Sequence, residues 1–232
     1  MPGPISGAKS RAVRFLLACG LAAGPVYLVL ALGQMLVRDG FDMRRHAVSH
    51  LSNGEYGWVQ VASFLFTGAR VVAGAAGTRR LLHPGRGGTW GPILLALYGI
   101  GLIGAGVFSA DPAPGFPPGA EAVPMTREGL LHFVFGAIGF YALIAACFVF
   151  ARRYAFLKRP GWATYSAATG VLFFLAFAAL SSGQASATVM LAFYGAVALA
   201  WVWHAALSAS LRREAGAATA PRRAPRSTAV PG

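Results

Sequence analysis

Six apolar runs divide the chain, separated by short polar stretches. They cover residues 15–37, 58–78, 90–109, 130–151, 162–180 and 189–211, each 19 to 23 residues long. A helix needs roughly 20 apolar residues to cross the hydrocarbon of a bilayer. Lipid offers the backbone no hydrogen-bond partner, so runs of this length satisfy their N–H and C=O groups as helices. The pattern predicts an all-α fold, a six-helix transmembrane bundle over 15–211. A basic N-terminal segment, 1–14, precedes it. A basic tail, 212–232, follows; rich in Ala, Pro, Arg, Ser and Thr, it is expected to be disordered. The first run reads as a retained helix bent at Pro25. Only Phe15 to Ala18 separate Arg14 from Cys19, too few apolar residues for a cleaved signal.

Charge orients the bundle. With the N-terminus inside, 15 of the 20 Lys and Arg fall on inner segments, at 9–14, 79–86, 152–159 and 212–226. Four fall outside, Arg38, Arg44, Arg45 and Arg127, and Arg70 lies within a span. The excess of basic residues marks the cytoplasmic side, so both termini are expected there. Shifting the chain by 72 residues aligns Gly57 with Gly129, Trp90 with Trp162, Arg80 with Arg152 and Asp39 with Asp111. Three hairpin repeats would produce this, as would apolar helices that resemble one another by composition.

Composition agrees with the membrane reading: 56% of residues are hydrophobic and 12% charged, about half the charged share of a soluble domain. The net charge of +13 does not indicate a nucleic-acid partner, because the basic residues sit in short runs at helix ends. Cys19 and Cys147 lie inside apolar runs and read as small core residues.

Candidate chemistry gathers on the outer side, in 41–58 and at the ends of the third and fourth runs. His46 and His50 are four apart and, on a helical turn, share a side with Ser49, next to Arg45. Asp111 follows the third run; Glu128 and His132 open the fourth. His46, His50, Asp111 and His132 are zinc-type ligands, and a histidine beside Ser49 could activate it as a nucleophile. The competing reading is structural: Asp111 capping a turn, Glu128 at a helix N-terminus, His132 bonded to a loop carbonyl. No cofactor is required by that reading. Within the membrane, Arg70 is expected to snorkel inward or meet polar groups of the bundle, and His204 to lie near the inner interface. The loop 111–128 holds five prolines and is expected to be stiff and extended.

The order RRHxxSxLS…GWxQ, then GRGGTWGP at 85–92, then GVFxADPxxGFPPG ending at Gly119, then GxLHxxxG, resembles bacterial membrane proteins of unknown-function domain family 998. The resemblance runs from the first span to the sixth and implies an integral membrane protein without an established activity. Ser49, Asp111 and the three histidines also resemble, by residue type, the zinc-dependent membrane hydrolases related to alkaline ceramidases and adiponectin receptors. Their order departs from that pattern, so no catalytic role is carried over. The functional expectation is an integral membrane protein whose outer polar cluster binds a lipid headgroup or small molecule. The alternatives are a membrane-embedded metal-dependent lipid hydrolase and a subunit of a larger membrane assembly.

Overall fold

The computed structural model describes residues 7–183 and 186–217. It contains six long helices: α1 (Gly7–Val37), α2 (Gly57–Leu82), α3 (Trp90–Val107), α4 (Arg127–Phe156), α5 (Pro160–Ser181) and α6 (Ala187–Ala217). All six are long and apolar enough to cross a membrane. A short 3-10 turn, Val48–Ser52, lies in the loop between α1 and α2. Among the described residues the only β-pairing is an isolated bridge between Ala113 and Phe116.

Each helix packs on its neighbours in sequence, and α1 closes on α6, so the helices form a ring in chain order. An even number of alternating spans puts both chain ends on one side, where the Ser10 hydroxyl donates to the Ala215 carbonyl at 3.5 Å. We call this the terminal end and the opposite one the lid end. α1 starts at Gly7 and α6 runs to Ala217, so the helices extend past the apolar runs at the terminal end. Polar residues there continue the backbone ladder into the interface. Of the tail 212–232 expected to be disordered, 212–217 are instead helical as the end of α6, and the rest lies outside the described residues. α1 also passes Pro25 as one continuous helix.

Close packing relies on glycine. In lipid, helix association draws on van der Waals contact, and small residues let backbones approach. A Cβ on Gly74 of α2 would lie 2.8 Å from the Gly20 Cα of α1. A Cβ on Gly99 of α3 would lie 2.7 Å from the Gly68 carbonyl of α2, and one on Gly101 2.6 Å from the Gly139 Cα of α4. The core divides by depth. Trp203, Tyr154, Phe150, Leu17, Leu207 and Leu211 are fully buried and fill the terminal half. The lid half encloses a cavity instead. The outward faces carry exposed Val29, Leu36, Phe66, Ile100, Leu175 and Val202, a surface suited to lipid chains.

Candidate functional site

The site starts from Arg38, one residue past α1. Its guanidinium donates to the carbonyls of Leu51 (3.1 Å) and Asn53 (2.6 Å) and lies 5.0 Å over the Phe116 ring. One cation thereby ties the first lid loop to the second. The 3-10 turn is fixed from within: the Ala47 N–H donates to His50 Nδ1 at 3.1 Å, and the Ser52 hydroxyl donates to the Ser49 carbonyl at 2.7 Å. The Asn53 amide donates to the carbonyls of His50 and, across the loops, Ala110.

The second loop does not extend as its prolines suggested. Ala113 and Phe116 exchange backbone hydrogen bonds, and Gly115 N–H reaches the Ala120 carbonyl at 2.8 Å. Tight turns can satisfy backbone groups internally, and here they drive the Phe116 ring into the lid, where it is wholly buried. It packs edge-on to Phe41 at 5.2 Å and beside His46 at 5.7 Å.

His46 is buried and both ring nitrogens are engaged. Nδ1 accepts from the Asp42 N–H at 3.0 Å, so Nε2 carries the proton and donates to the Pro114 carbonyl at 3.1 Å. Its own carbonyl accepts from the Tyr194 hydroxyl of α6 at 2.7 Å. His50 has its acidity raised, its pKa pulled down to about 4, by burial first and then by the neighbouring His46 and His132. It is neutral at pH 7, with Nδ1 accepting and Nε2 protonated.

Asp111 does not meet Arg44, Arg45 or a histidine. Its carboxylate accepts from the Thr126 N–H at 2.9 Å and from the Thr126 hydroxyl at 2.5 Å. Thr126 in turn caps α4, accepting from the Gly129 N–H at 3.0 Å. An added Cβ on Gly129 would collide with the Asp111 carboxylate. Gly57, its match in the 72-residue shift, is crowded by a backbone group instead, the Ser52 carbonyl. Glu128 and Arg45 are exposed and stand apart from this cap.

His132, one turn into α4, donates from Nδ1 to the carbonyls of Ala105 and Phe108, both at 2.9 Å. These are orphan carbonyls at the end of α3, so the imidazole serves as its C-cap. The Nε2 lone pair is left without a partner. His132 lines a cavity of about 290 Å³, near the lower end of the roughly 300–1,000 Å³ range of ligand sites. All six helices wall it, with Tyr27, Phe64, Tyr98, Phe140, Phe177 and Trp201 prominent, and Ala47, Val48 and Ser49 of the lid form its roof. No charged side chain lines it.

The expected zinc ligands are thus brought to one end of the bundle but not to one point. Among the described residues no group of three or more His, Cys, Asp and Glu is arranged to hold a metal. His46 spends both nitrogens on backbone, and Asp111 spends its carboxylate on a helix cap. No histidine is hydrogen-bonded to the Ser49 hydroxyl.

Within the spans, Arg70 places its guanidinium 4.8 Å over Phe66, four residues toward the lid end, with Nε buried and unpartnered. Helix side chains lean toward the N-terminus, so it does not snorkel to the terminal end. His204 is not interfacial but buried. It stands edge-on to Trp201 at 6.0 Å, and its Nδ1 is buried without a hydrogen-bond partner.

Sequence reading missed Arg38, Phe116, Tyr194 and a buried polar pair, Gln34 donating to Gln60 at 2.8 Å. Arg38 did carry a signal: it is one of few basic residues at the end that topology leaves poor in them.

A family model described as "Protein of unknown function (DUF998)" matches residues 21–210, most of the chain. The chain belongs to this family. No curated protein matches it, and no solved structure does. Membership in DUF998 and six membrane-length helices together make it a multi-pass integral membrane protein of unknown function. In this DUF998 chain the matched region takes in the lid, both glycine-rich helix interfaces of α3 and the whole cavity.

Proposed function

We propose that the protein binds a neutral amphiphile of the membrane, with one apolar chain in the cavity beneath the lid. The carrying observation is the cavity itself: apolar walls from six helices, topped by the free His132 Nε2 and the unpartnered Ser49 hydroxyl. A hydroxyl on the ligand would donate to His132 Nε2, and a carbonyl would accept from Ser49. With no cation in the lining, a phosphate is disfavoured in the cavity, because a buried charge needs a partner. Burial of the chain supplies the affinity at about 25 cal/mol per Å².

Native mass spectrometry of the purified full chain with a monoacylglycerol tests this. One bound equivalent is expected. Gly136 lines the cavity, and a Cβ there meets nothing within 4 Å, so G136W adds bulk without a backbone clash. Loss of the adduct in G136W, with an unchanged melting temperature, supports the site; retained binding refutes it.

We further read the protein as resident in the cell membrane with both termini cytoplasmic, which the concentration of Arg and Lys at the terminal end supports. A reporter fused after Arg159 should be cytoplasmic and a label at Gly119 external. The reverse pattern would overturn the orientation.

A further inference from the structure

A second site lies at the terminal end, on the far side of the bundle from the lid. The segment 85–92, one of those that carry the family resemblance, joins α2 to α3 and folds back on the end of α2. Gly85 N–H donates to the Leu82 carbonyl at 2.6 Å, and Gly88 N–H to the Gly85 carbonyl at 2.9 Å. This turn swings Arg86 onto α4, where its guanidinium stacks 3.7 Å from the Phe156 ring centre. Arg153 of α4 answers: its Nη1 donates to the Arg86 carbonyl at 2.5 Å. The Arg153 stem runs over Gly87, whose φ is +73° and whose added Cβ would lie 3.3 Å from Arg153 Cδ. A larger residue at 87 would be strained in this conformation and would push that stem aside.

Arg86, Arg152 and Arg153 line one pocket of about 220 Å³ with Gly87, Trp90 and Val149. No carboxylate lines it. The one ion pair among the described residues, Arg159 with Glu214, lies elsewhere. Arg153 Nε is buried without a partner. Two of the three guanidinium groups are thus held in place by the protein, one by stacking and one by a carbonyl, rather than splayed into water. Like charges gathered in one pocket repel, and an anion between them reverses the sign of the interaction. Planar guanidinium forks match the oxygens of phosphate, and Trp90 stands exposed where an indole meets headgroups.

We infer that this pocket is a phosphate-binding site, taking either the phosphodiester of an anionic lipid or free phosphate. It is independent of the cavity under the lid, which is uncharged and at the other end.

The test uses the full chain in detergent, titrated with phosphatidylglycerol and, separately, with inorganic phosphate, and read by native mass spectrometry and thermal melting. Saturable binding of one equivalent is expected. In R86Q/R152Q it should weaken by at least about tenfold, since each arginine near a phosphate contributes about 1 kcal/mol or more. R212Q/R213Q removes the same charge from the same end and should leave binding unchanged. Arg152 is exposed and makes no hydrogen bond within the described chain, so R152Q alone should weaken binding severalfold with an unchanged melting temperature. Lipid that inorganic phosphate does not displace identifies the lipid as the source; displacement identifies free phosphate. Equal weakening in R86Q/R152Q and R212Q/R213Q, or none in R86Q/R152Q and R152Q, would overturn the site.

Discussion

Leucine in place of Gly99 is expected to prevent the bundle from assembling. A Cβ at that position lies 2.7 Å from the Gly68 carbonyl, 2.8 Å from Val72 Cγ2 and 3.1 Å from the Val72 nitrogen. Two of the three neighbours are backbone, which cannot rotate away, so α2 and α3 must separate. Overpacking a core costs roughly 1–3 kcal/mol where side chains can yield, and here the figure is at or above about 3 kcal/mol. Separation of α2 from α3 also breaks the ring that encloses the cavity. The expected readout is loss of a cooperative thermal transition in detergent, or no recoverable folded protein. G195A is the matched control: a Cβ on Gly195 of α6 meets nothing within 4 Å, and its melting temperature should stay within a degree or two. A normal melt for G99L would show that the helices do not approach as closely as the structure places them.

Removing Arg38 is expected to release the lid while leaving the six helices folded. R38A deletes two charge-assisted hydrogen bonds, to the carbonyls of Leu51 and Asn53, and the contact over Phe116. Each such bond contributes about 1.5–3 kcal/mol, and an exposed cation–π contact about 0.5–1 kcal/mol. A loss of about 3 kcal/mol in lid stability raises amide exchange across 46–53 by about a hundredfold. Exchange in α3 and α4 should not change. R38K keeps the charge but lacks the planar fork, so it should restore protection only in part. Equal exchange in R38A and the unaltered protein would mean that the lid is held by other groups.

The spans were legible because the bilayer imposes a length and a composition on them. The expected starts at Trp58 and Trp90 fall within a residue of the observed ones, Gly57 and Trp90, whereas α1, α4 and α6 run past the apolar limits because interfacial polar residues still support helix. Which face of each helix turns inward was not legible. Lipid and core are both apolar, so Phe66 facing out and Phe64 facing in look alike in sequence. The candidate residues lie at one end of the bundle, but their partners were hidden in the sequence. His46 and His132 bond to backbone carbonyls, which every residue carries, and Asp111 chose a threonine 15 positions on. The cavity left no mark because Phe140 and Trp201 are the residues that would also fill a solid core.

Entry of an apolar chain into the cavity under the lid can be observed directly. Photo-crosslinking tests it most directly, using a monoacylglycerol that carries a diazirine near the end of its chain. Adducts are expected on Phe140, Phe193, Val197 or Trp201, lost on competition with the unlabelled lipid and absent in G136W. Adducts confined to lipid-facing positions such as Leu172, Phe174 and Val202, unaffected by competition, would contradict it.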